Sequence, residues 1–592
     1  MLKDQLAVYE LLRDMIKGKT GHISKVTYKP QKPAFPIEEK EQQPLTRSTP
    51  EEQGISSRHL ASFIRELVNK EETDIHGIMV LRNGCVIGEY AFAPYEAGIW
   101  HIGHSMCKSI TGMAIGLLIS EGKLSLDDRI VKIFTKRSFL GNMRQKNITV
   151  RHLLTMTSGV TFNEAGIVSG DDWVKGYLDS GVNGTPGEKF EYNSMNSYML
   201  SAIVTELTGE TMTDYLKPRL FEPLGITRIF WELCPKGITK GGWGLFLCQE
   251  DAAKLGQLYL QGGKWKGQQI IPEEWVKESV KKQVETPAEM GYFGYGYQIW
   301  AGGREGSFNF NGMLGQNVVV YPDMNMVIVA NAGSNELFQN CVLMNVVRKY
   351  FEGDYIPADV LPADPVSAQY LEETAGRLRL SRELPTAIRK GGWRRPERRN
   401  AKQNQRTPKR TFDRISGKSY LMKTRRAGIF PLVMQVFHNN FTDGIEKLGF
   451  NSERGKHFMI LQEGDDLLEI EIGFGKAASG QICIHGEPYL IGTKGEFAQN
   501  EDGQLVLKLD IAFLEEAVRR RLKIIFKSLE EIQVLFDETP GKELIEEGLG
   551  GILQTASKSF PLNNLMDFGN IDLPELLVDR TIRPAEEGRR IP

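Results

Sequence analysis

The sequence predicts an α+β chain: an antiparallel sheet flanked by helices and split in sequence by an all-helical subdomain, followed by a small all-β domain. Three observations carry this. Strand-like runs appear near residues 76–92 and return between 295 and 330. The intervening stretch, 126–275, is mostly helical in pattern, punctuated by turns such as Ser158-Gly159 and Thr185-Pro186-Gly187. Beyond residue 412, short strand-like runs separated by turn residues follow one another.

A chain of 592 residues is longer than one hydrophobic core ordinarily organises, and the elements divide it into four parts. Residues 1–49 read as an N-terminal extension. An amphipathic helix in MLKDQLAVYELLRDMIKGKTGH is followed by a polar stretch through Pro30, Pro33, Pro36 and Pro44, expected to lie over the main domain. Residues 50–355 form the first domain. It opens with a helix around 57–69 and a hairpin, His76–Leu81 and Cys85–Phe92, joined by Arg82-Asn83-Gly84; Asn-Gly tolerates the positive φ that a tight hairpin turn requires. The helix at 105–119 is largely apolar (Ile110, Met113, Ala114, Ile115, Leu117, Leu118, Ile119) and is expected to be buried. Strands are expected at Tyr295–Trp300, Ser307–Phe310, Gln316–Tyr321 and Met326–Ala330, with a turn at Pro322-Asp323 and a closing helix around 336–351.

Residues 356–411 read as a basic linker, because 376–410 is rich in Arg and Lys and almost without aliphatic periodicity. Residues 412–592 read as an all-β barrel or sandwich with a tail. Its strand-like runs are Tyr420–Lys423, Gly428–Phe437, His457–Leu461, Leu467–Ile472, Gly480–His485 and Leu505–Ile511, with no catalytic constellation among them.

Composition narrows the function classes. Lys+Arg 73 against Asp+Glu 75 gives a formal net charge of -2, which supplies no attractive field for a polyanion, so nucleic acid is not an expected partner. Six scattered cysteines without a Cys-x-x-Cys pair indicate neither a disulfide framework nor a zinc knuckle and suit a reducing compartment. The N-terminus lacks the unbroken apolar run of a signal peptide, and no uncharged apolar window of about 18 residues follows it. A cytoplasmic location without a membrane partner is therefore expected. No cofactor is implied, and the oligomeric state is not legible.

The chemistry rests on one spacing. Ser-x-x-Lys on a helix sets the two side chains a turn apart on one face, so that a lysine amine reaches the serine hydroxyl. Three places have the spacing: Ser105 with Lys108, Ser120 with Lys123, and Ser279 with Lys282. Ser120 and Ser279 stand among charged residues, whereas Ser105 opens the apolar helix. Desolvation there favours the neutral, basic form of Lys108, and the helix N-terminus offers N–H groups to a developing oxyanion. A Gly-x-Ser-x-Gly elbow is absent, because Gly103-His104-Ser105-Met106-Cys107 ends in Cys, which disfavours the α/β-hydrolase fold. His101 and His104 have no third partner at metal-ligand spacing and read as structural or pocket-lining. Cys107 reads as a small buried hydrophobe.

Ser105-Met106-Cys107-Lys108-Ser109, followed by Ile148-Thr149-Val150-Arg151-His152-Leu153-Leu154-Thr155-Met156-Thr157-Ser158-Gly159, resembles the serine β-lactamase-like hydrolase family, with its β-lactamase/transpeptidase-like fold, over roughly residues 50–350. By that resemblance Tyr192, in Pro186-Gly187-Glu188-Lys189-Phe190-Glu191-Tyr192, is the second-motif tyrosine and shares proton transfer with Lys108. Ser194 stands where the family more often has Asn. Ser194-Met195-Asn196 also fits a Ser-x-Asn motif, and Tyr192 alone also reads as a core aromatic. The third motif, usually Lys-Thr-Gly or His-x-Gly, corresponds to Phe310-Asn311-Gly312, so the cation that would hold a substrate carboxylate is missing, with Arg304 as the candidate substitute. The resemblance implies an oxyanion hole from the N–H groups of Ser105 and Met313, with Gly312 allowing close backbone approach. Ser194, Trp243 and Tyr295 are candidates for the substrate pocket, while Trp243, Tyr295, Tyr297 and Trp300 read equally as core. The expected activity is hydrolysis of a small ester or amide through an acyl-enzyme, as in the esterase-like and nylon-oligomer-hydrolase-like branch. The alternatives are a β-lactamase or D-amino-acid peptidase, and a non-catalytic binding protein on the same fold.

Overall fold

The computed structural model describes residues 26–135, 145–163, 170–291, 293–335, 340–380, 408–442, 444–541 and 582–592. The N-terminal helix expected before residue 23 and the linker residues 381–407 lie outside these. The described residues form two compact units, one of 35–91 and 97–375, the other of 26–34, 92–96 and the residues from 376 onward.

The first unit is built on a seven-stranded sheet. Its strands are β1 (Thr46–Arg47), β2 (Ile75–Arg82), β3 (Cys85–Ala91), β4 (Trp300–Ala301), β5 (Phe308–Gly312), β6 (Gln316–Tyr321) and β7 (Met326–Ala332). The order across the sheet is β1-β3-β2-β7-β6-β5-β4, so the N-terminal hairpin pairs with strands more than 200 residues later, as the split in the sequence requires. Every neighbouring pair from β3 to β4 is antiparallel; β1 joins β3 in parallel. β7 lies between β2 and β6 and is buried at every residue.

Helix α1 (Ser57–Asn69) begins at Ser56, whose hydroxyl accepts the His59 N–H. It packs on the C-terminal helix of the unit through Phe63 and Phe351, ring centroids 5.0 Å apart. Helix α2 (Cys107–Ser120) is preceded by a 3-10 turn, His104–Met106, and every residue from Cys107 to Leu118 is buried. Helix α3 (Ser194–Thr208) belongs to the helical subdomain and packs on α2. Helix α4 (Gln249–Leu260) covers one face of the sheet, and Gly256 lets it approach Val318, Val320 and Val327. The closing helix is α5 (Val342–Phe351).

One expected strand is mostly a turn. In Tyr295–Trp300 only Trp300 enters the sheet, because Gln298 adopts φ 61° and its side-chain amide donates to the carbonyls of Leu153 (3.1 Å) and Leu154 (3.0 Å). Polar anchoring outweighs the strand propensity of the surrounding aromatics. The stretch read as linker opens with a helix, α6 (Pro365–Leu380): Asp364 accepts the Ser367 N–H at 3.0 Å, and Ser367, Leu371, Thr374 and Leu378 form a buried seam at helical spacing.

The second unit holds eleven strands: β8 (Lys418–Met422), β9 (Ile445–Glu453), β10 (Lys456–Glu463), β11 (Asp466–Glu471), β12 (Gly473–Phe474), β13 (Ala478–Ile484), β14 (Glu487–Gln499), β15 (Leu505–Phe513), β16 (Arg519–Phe526), β17 (Glu531–Thr539) and β18 (Ala585–Ile591). They run in the order β11-β10-β9-β8-β18-β17-β16-β15-β14-β12, with β13 also on β14. Contact between β11 and β13 brings the two ends together, making a near-barrel.

The run Gly428–Phe437 is not a strand. Pro431 starts a helix, α7 (Leu432–His438), and the segment around it is tied down by buried carboxylates from three strands. Glu463 accepts the Ile429 N–H, Glu538 accepts that of Leu432, and Glu586 accepts those of Arg426 and Ala427. A short apolar run does not announce helix or strand by itself; the carboxylates that satisfy its N–H groups are distant in sequence. Among the described residues no helix is long and apolar enough to cross a membrane.

Candidate active site

Ser105 sits in the 3-10 turn leading into α2, half-buried, with Lys108 one turn later and 2 % exposed. Lys108 Nζ donates to Ser105 Oγ at 2.7 Å, to Ser194 Oγ at 3.0 Å and to the carbonyl oxygen of Gly242 at 2.7 Å. All three oxygens lie within 3.0 Å of the nitrogen, so the amine is held between the nucleophile, the helical subdomain and the Gly242 segment. Ser194 is the first residue of α3, and Asn193 before it caps that helix, its side chain accepting the Met195 N–H. Gly242 follows Gly241 in a segment laid against α3. A Cβ at 242 would stand 2.8 Å from the Ser194 carbonyl, and one at 241 would stand 2.7 Å from that of Ser197. Two glycines thus bring the carbonyl to the lysine.

Tyr192 presents its ring to Lys108, the centroid 5.0 Å from Nζ. It stacks on Trp300 at 5.8 Å and rests on a cluster of Met156, Phe190, Tyr295 and Trp300. Tyr295 is fully buried under this group, and burial holds its hydroxyl well above the ordinary tyrosine range. Trp243 is buried, stacked on Trp173 at 5.8 Å. Of the pocket candidates, then, Ser194 touches the lysine, whereas Tyr295 and Trp243 are core beneath and beside it. Tyr297 is buried, and its hydroxyl accepts from Arg151 at 2.7 Å.

Gly312 ends β5 on the face that meets the nucleophile turn. A Cβ there would collide with the Gly103 carbonyl and stand 3.0 Å from the Met106 nitrogen. The 3-10 turn Met313–Gly315 continues from it and contacts the turn bearing Ser105. Both turns contain a non-glycine residue in the left-handed region, His104 (φ 45°) and Leu314 (φ 64°). Such conformations cost of the order of 1 kcal/mol or more and persist where the surroundings impose them.

Phe310, two residues before Gly312, points to the same face and packs on Tyr259 of α4, with centroids 5.3 Å apart. The cation position is therefore an apolar ring. Asn311 faces the other way and donates to Asn317 Oδ1 at 2.7 Å. Arg304 does not substitute: it pairs with Asp323 at 2.6 Å and donates to the Tyr355 carbonyl at 2.9 Å.

His101 Nε2 lies 3.0 Å from His76 Nδ1, and its Nδ1 lies 3.0 Å from the Ile102 carbonyl, a buried structural pair. No group of three or more His, Cys, Asp or Glu among the described residues is arranged to hold a metal ion. Burial pushes the Cys107 thiol up to about 12, so it is inert at neutral pH. Ser279 donates to the Val276 carbonyl and Ser120 to that of Leu117, so neither contacts a lysine of its motif through these bonds.

Gly242 and Gln298 fall in the segments Gly241–Leu245 and Gly294–Trp300, which are similar to the esterase-like branch of the family, but the sequence assigned neither residue a role of its own. Gln298 accepts from Ser109 through its carbonyl at 2.8 Å and from Ser197 through Oε1 at 2.5 Å, fastening α2 to α3. Asn196 accepts from Ser158 at 2.7 Å and from Tyr177 at 2.6 Å. The rival Ser-x-Asn reading is thus divided, with Ser194 at the lysine and Asn196 in a buried structural network.

A split antiparallel sheet, a Ser-x-x-Lys helix against it and a helical subdomain beside that helix define the fold of the serine β-lactamase-like hydrolases. Residues 60–338, just under half of the chain, match the family model described as Beta-lactamase, the family that the motifs around Ser105 resemble. Among known proteins, the 6-aminohexanoate-dimer hydrolase of Paenarthrobacter ureafaciens is 26% identical over 314 residues, 48% of this chain and 79% of that protein. Protein flp of Staphylococcus aureus (strain COL) is 31% identical over 130 residues, 21% of this chain and 26% of that one. The structure of a penicillin-binding protein homolog from Caulobacter crescentus aligns with a TM-score of 0.42 at 15% identity, covering 52% of this chain and 98% of that one.

Proposed function

We propose that the first unit hydrolyses a small ester or linear amide through an acyl-enzyme on Ser105. The observation that carries this is the set of three oxygens around Lys108 Nζ. A neutral amine has two N–H bonds and one lone pair. When it donates to Ser194 Oγ and the Gly242 carbonyl, its lone pair is left pointing at Ser105 Oγ. Lys108 then takes the hydroxyl proton as Ser105 Oγ attacks the substrate carbonyl carbon. The N–H groups of Ser105 and Met313 receive the oxyanion, a contribution of about 3–4 kcal/mol per donor by analogy with other hydrolases. The proton returns to the leaving group through Lys108, with Tyr192 sharing the transfer. Water releases the acyl group by the same steps in reverse order.

Phe310 argues for a substrate without an essential carboxylate, because an apolar ring at the cation position offers such a group nothing to bind. It counts against the β-lactamase and D-amino-acid peptidase readings. The name of the Paenarthrobacter relative, a hydrolase of an amide dimer, supports a linear amide beside the ester.

The test is intact-protein mass spectrometry after a fluorophosphonate probe, with turnover of a nitrophenyl ester and of nitrocefin. The expected result is an adduct on Ser105 and ester turnover abolished in Ser105→Ala. No adduct, or turnover surviving Ser105→Ala, would overturn the reading, and nitrocefin turnover without ester turnover would replace it with a β-lactamase.

A further inference from the structure

The outward side of strands β14 to β17 holds a cavity of about 450 Å³ whose lining, among the described residues, carries four cations against three carboxylates. Side chains from neighbouring strands line it in two transverse rows. In one row Lys494 is opposite Asp510, Asp510 opposite Arg521, and Arg521 opposite Asp537. In the other, Glu496 is opposite Lys508, and Lys508 is directly opposite Lys523.

Two of the three carboxylates are already engaged. Asp510 pairs with Arg519 at 3.0 Å, and Asp537 pairs with Arg583 at 3.0 Å. With Arg519 and Arg583 counted, six cations stand against three carboxylates, and four of the six, Lys494, Lys508, Arg521 and Lys523, are exposed in the lining. Like charges directly opposite on paired strands destabilise a sheet, so the Lys508–Lys523 pair costs stability when the cavity holds only water. The overall chain is close to neutral, which makes this local excess a feature of the site rather than of composition.

We infer that this cavity binds a small polyanion, a compound with two or more phosphate or carboxylate groups. Strand geometry sets its size. Adjacent strands lie about 4.8 Å apart and same-face residues about 6.8 Å apart along a strand, so the anionic groups sit about 5–7 Å from one another. One group lies between Lys508 and Lys523, and the next reaches Arg521, one same-face step along the strand from Lys523. The inference is independent of the chemistry proposed for Ser105.

Isothermal titration of the full chain with inorganic tripolyphosphate, and separately with citrate, at about 0.1 M salt, tests it. The expected result is saturable binding of at least one of them with a sub-millimolar Kd, weakened at least tenfold in Lys508→Gln/Lys523→Gln. The variant's thermal midpoint without ligand is expected to equal or exceed the wild-type value, since a repulsive pair has been removed. The preferred probe distinguishes phosphate from carboxylate ligands. A reference variant, Lys447→Gln/Lys476→Gln, changes the same number of charges elsewhere on the unit and is expected to bind like the wild type. Absence of binding, equal binding by the Lys508/Lys523 variant, or equal loss in the reference variant would overturn the inference.

Discussion

Ser194 Oγ accepts a hydrogen bond from Lys108 Nζ at 3.0 Å, at the position where the family resemblance leads one to expect an asparagine. A hydroxyl and an amide oxygen are interchangeable as acceptors, so the substitution keeps the contact that orients the amine. Ser194→Ala leaves Lys108 with one acceptor fewer, and its lone pair is no longer held on Ser105. Ester turnover is expected to fall about 10–100-fold, or about 1.4–2.7 kcal/mol in activation free energy. Ser194→Asn is expected to recover most of it. Steady-state kcat of both variants decides the matter; equal rates for Ser194→Ala and wild type would show that the serine does not orient the lysine.

Gly312 passes so close to the nucleophile turn that a Cβ there would collide with the Gly103 carbonyl. Gly312→Ala forces apart β5 and the Gly103 carbonyl, and overpacking of this kind costs about 1–3 kcal/mol in stability. The displacement also moves Met313 relative to Ser105. A modest fall in thermal midpoint with a loss of ester turnover of at least about 100-fold is expected, as for removal of one oxyanion donor. Unchanged turnover in a folded variant would take Met313 out of the oxyanion site.

On the proposed function, Phe310 disfavours carboxylate-bearing substrates, because a ring packed on Tyr259 fills the cation position. Phe310→His introduces a group that is cationic below about pH 6.5 and fits a similar space. The ratio of nitrocefin to nitrophenyl-ester turnover is expected to rise at least tenfold at pH 6. A ratio that stays constant would show that this position does not govern selection.

The sequence revealed the sheet best where its signals were local. The Asn83-Gly84 hairpin and the strand Gln316–Tyr321 appear where expected, because turn chemistry and short β-branched runs are written in adjacent residues. The Ser105 and Lys108 contact was equally legible, being fixed by one helical turn. Less legible were features that depend on distant partners. Gln298 abandons a strand because its amide finds the Leu153 and Leu154 carbonyls, and α7 begins where Glu538 from β17 meets its N-terminus. The Gly242 carbonyl escaped notice because a backbone acceptor has no side-chain signature.

Glu463 gives the second unit a pH dependence. Burial raises its carboxyl from the usual 4.5 to about 7, although its Oε1 accepts the Ile429 N–H. The folded state thus holds the proton more tightly than the unfolded chain. Its contribution to stability is complete below pH 4.5, declines as the pH rises to about 7, and is constant above that. Urea midpoints of the full chain measured from pH 5 to 8 are expected to fall. Glu463→Gln, which cannot ionise, is expected to flatten that fall without abolishing it, because burial raises Glu538 and Glu586 in the same direction. An identical pH profile for the variant would remove Glu463 as a source.

Lys32 shows what part of the N-terminal extension does within the second unit. Its Nζ pairs with Glu515 at 2.9 Å, both side chains 1% exposed, and donates to the Pro488 carbonyl at 2.6 Å. Glu487 accepts the N–H groups of Gln31 (2.6 Å) and Lys32 (2.9 Å), so backbone and side chain are both fastened. Removing one member of a buried ion pair leaves the other uncompensated and costs about 3–5 kcal/mol. Lys32→Met is accordingly expected to lower the stability of this unit by that amount. Lys32→Met/Glu515→Gln, which removes both charges, is expected to recover at least half of the loss. Denaturant midpoints of the two variants measure the difference. If the double variant is no more stable than the single one, the loss comes from packing of the segment and not from the stranded carboxylate.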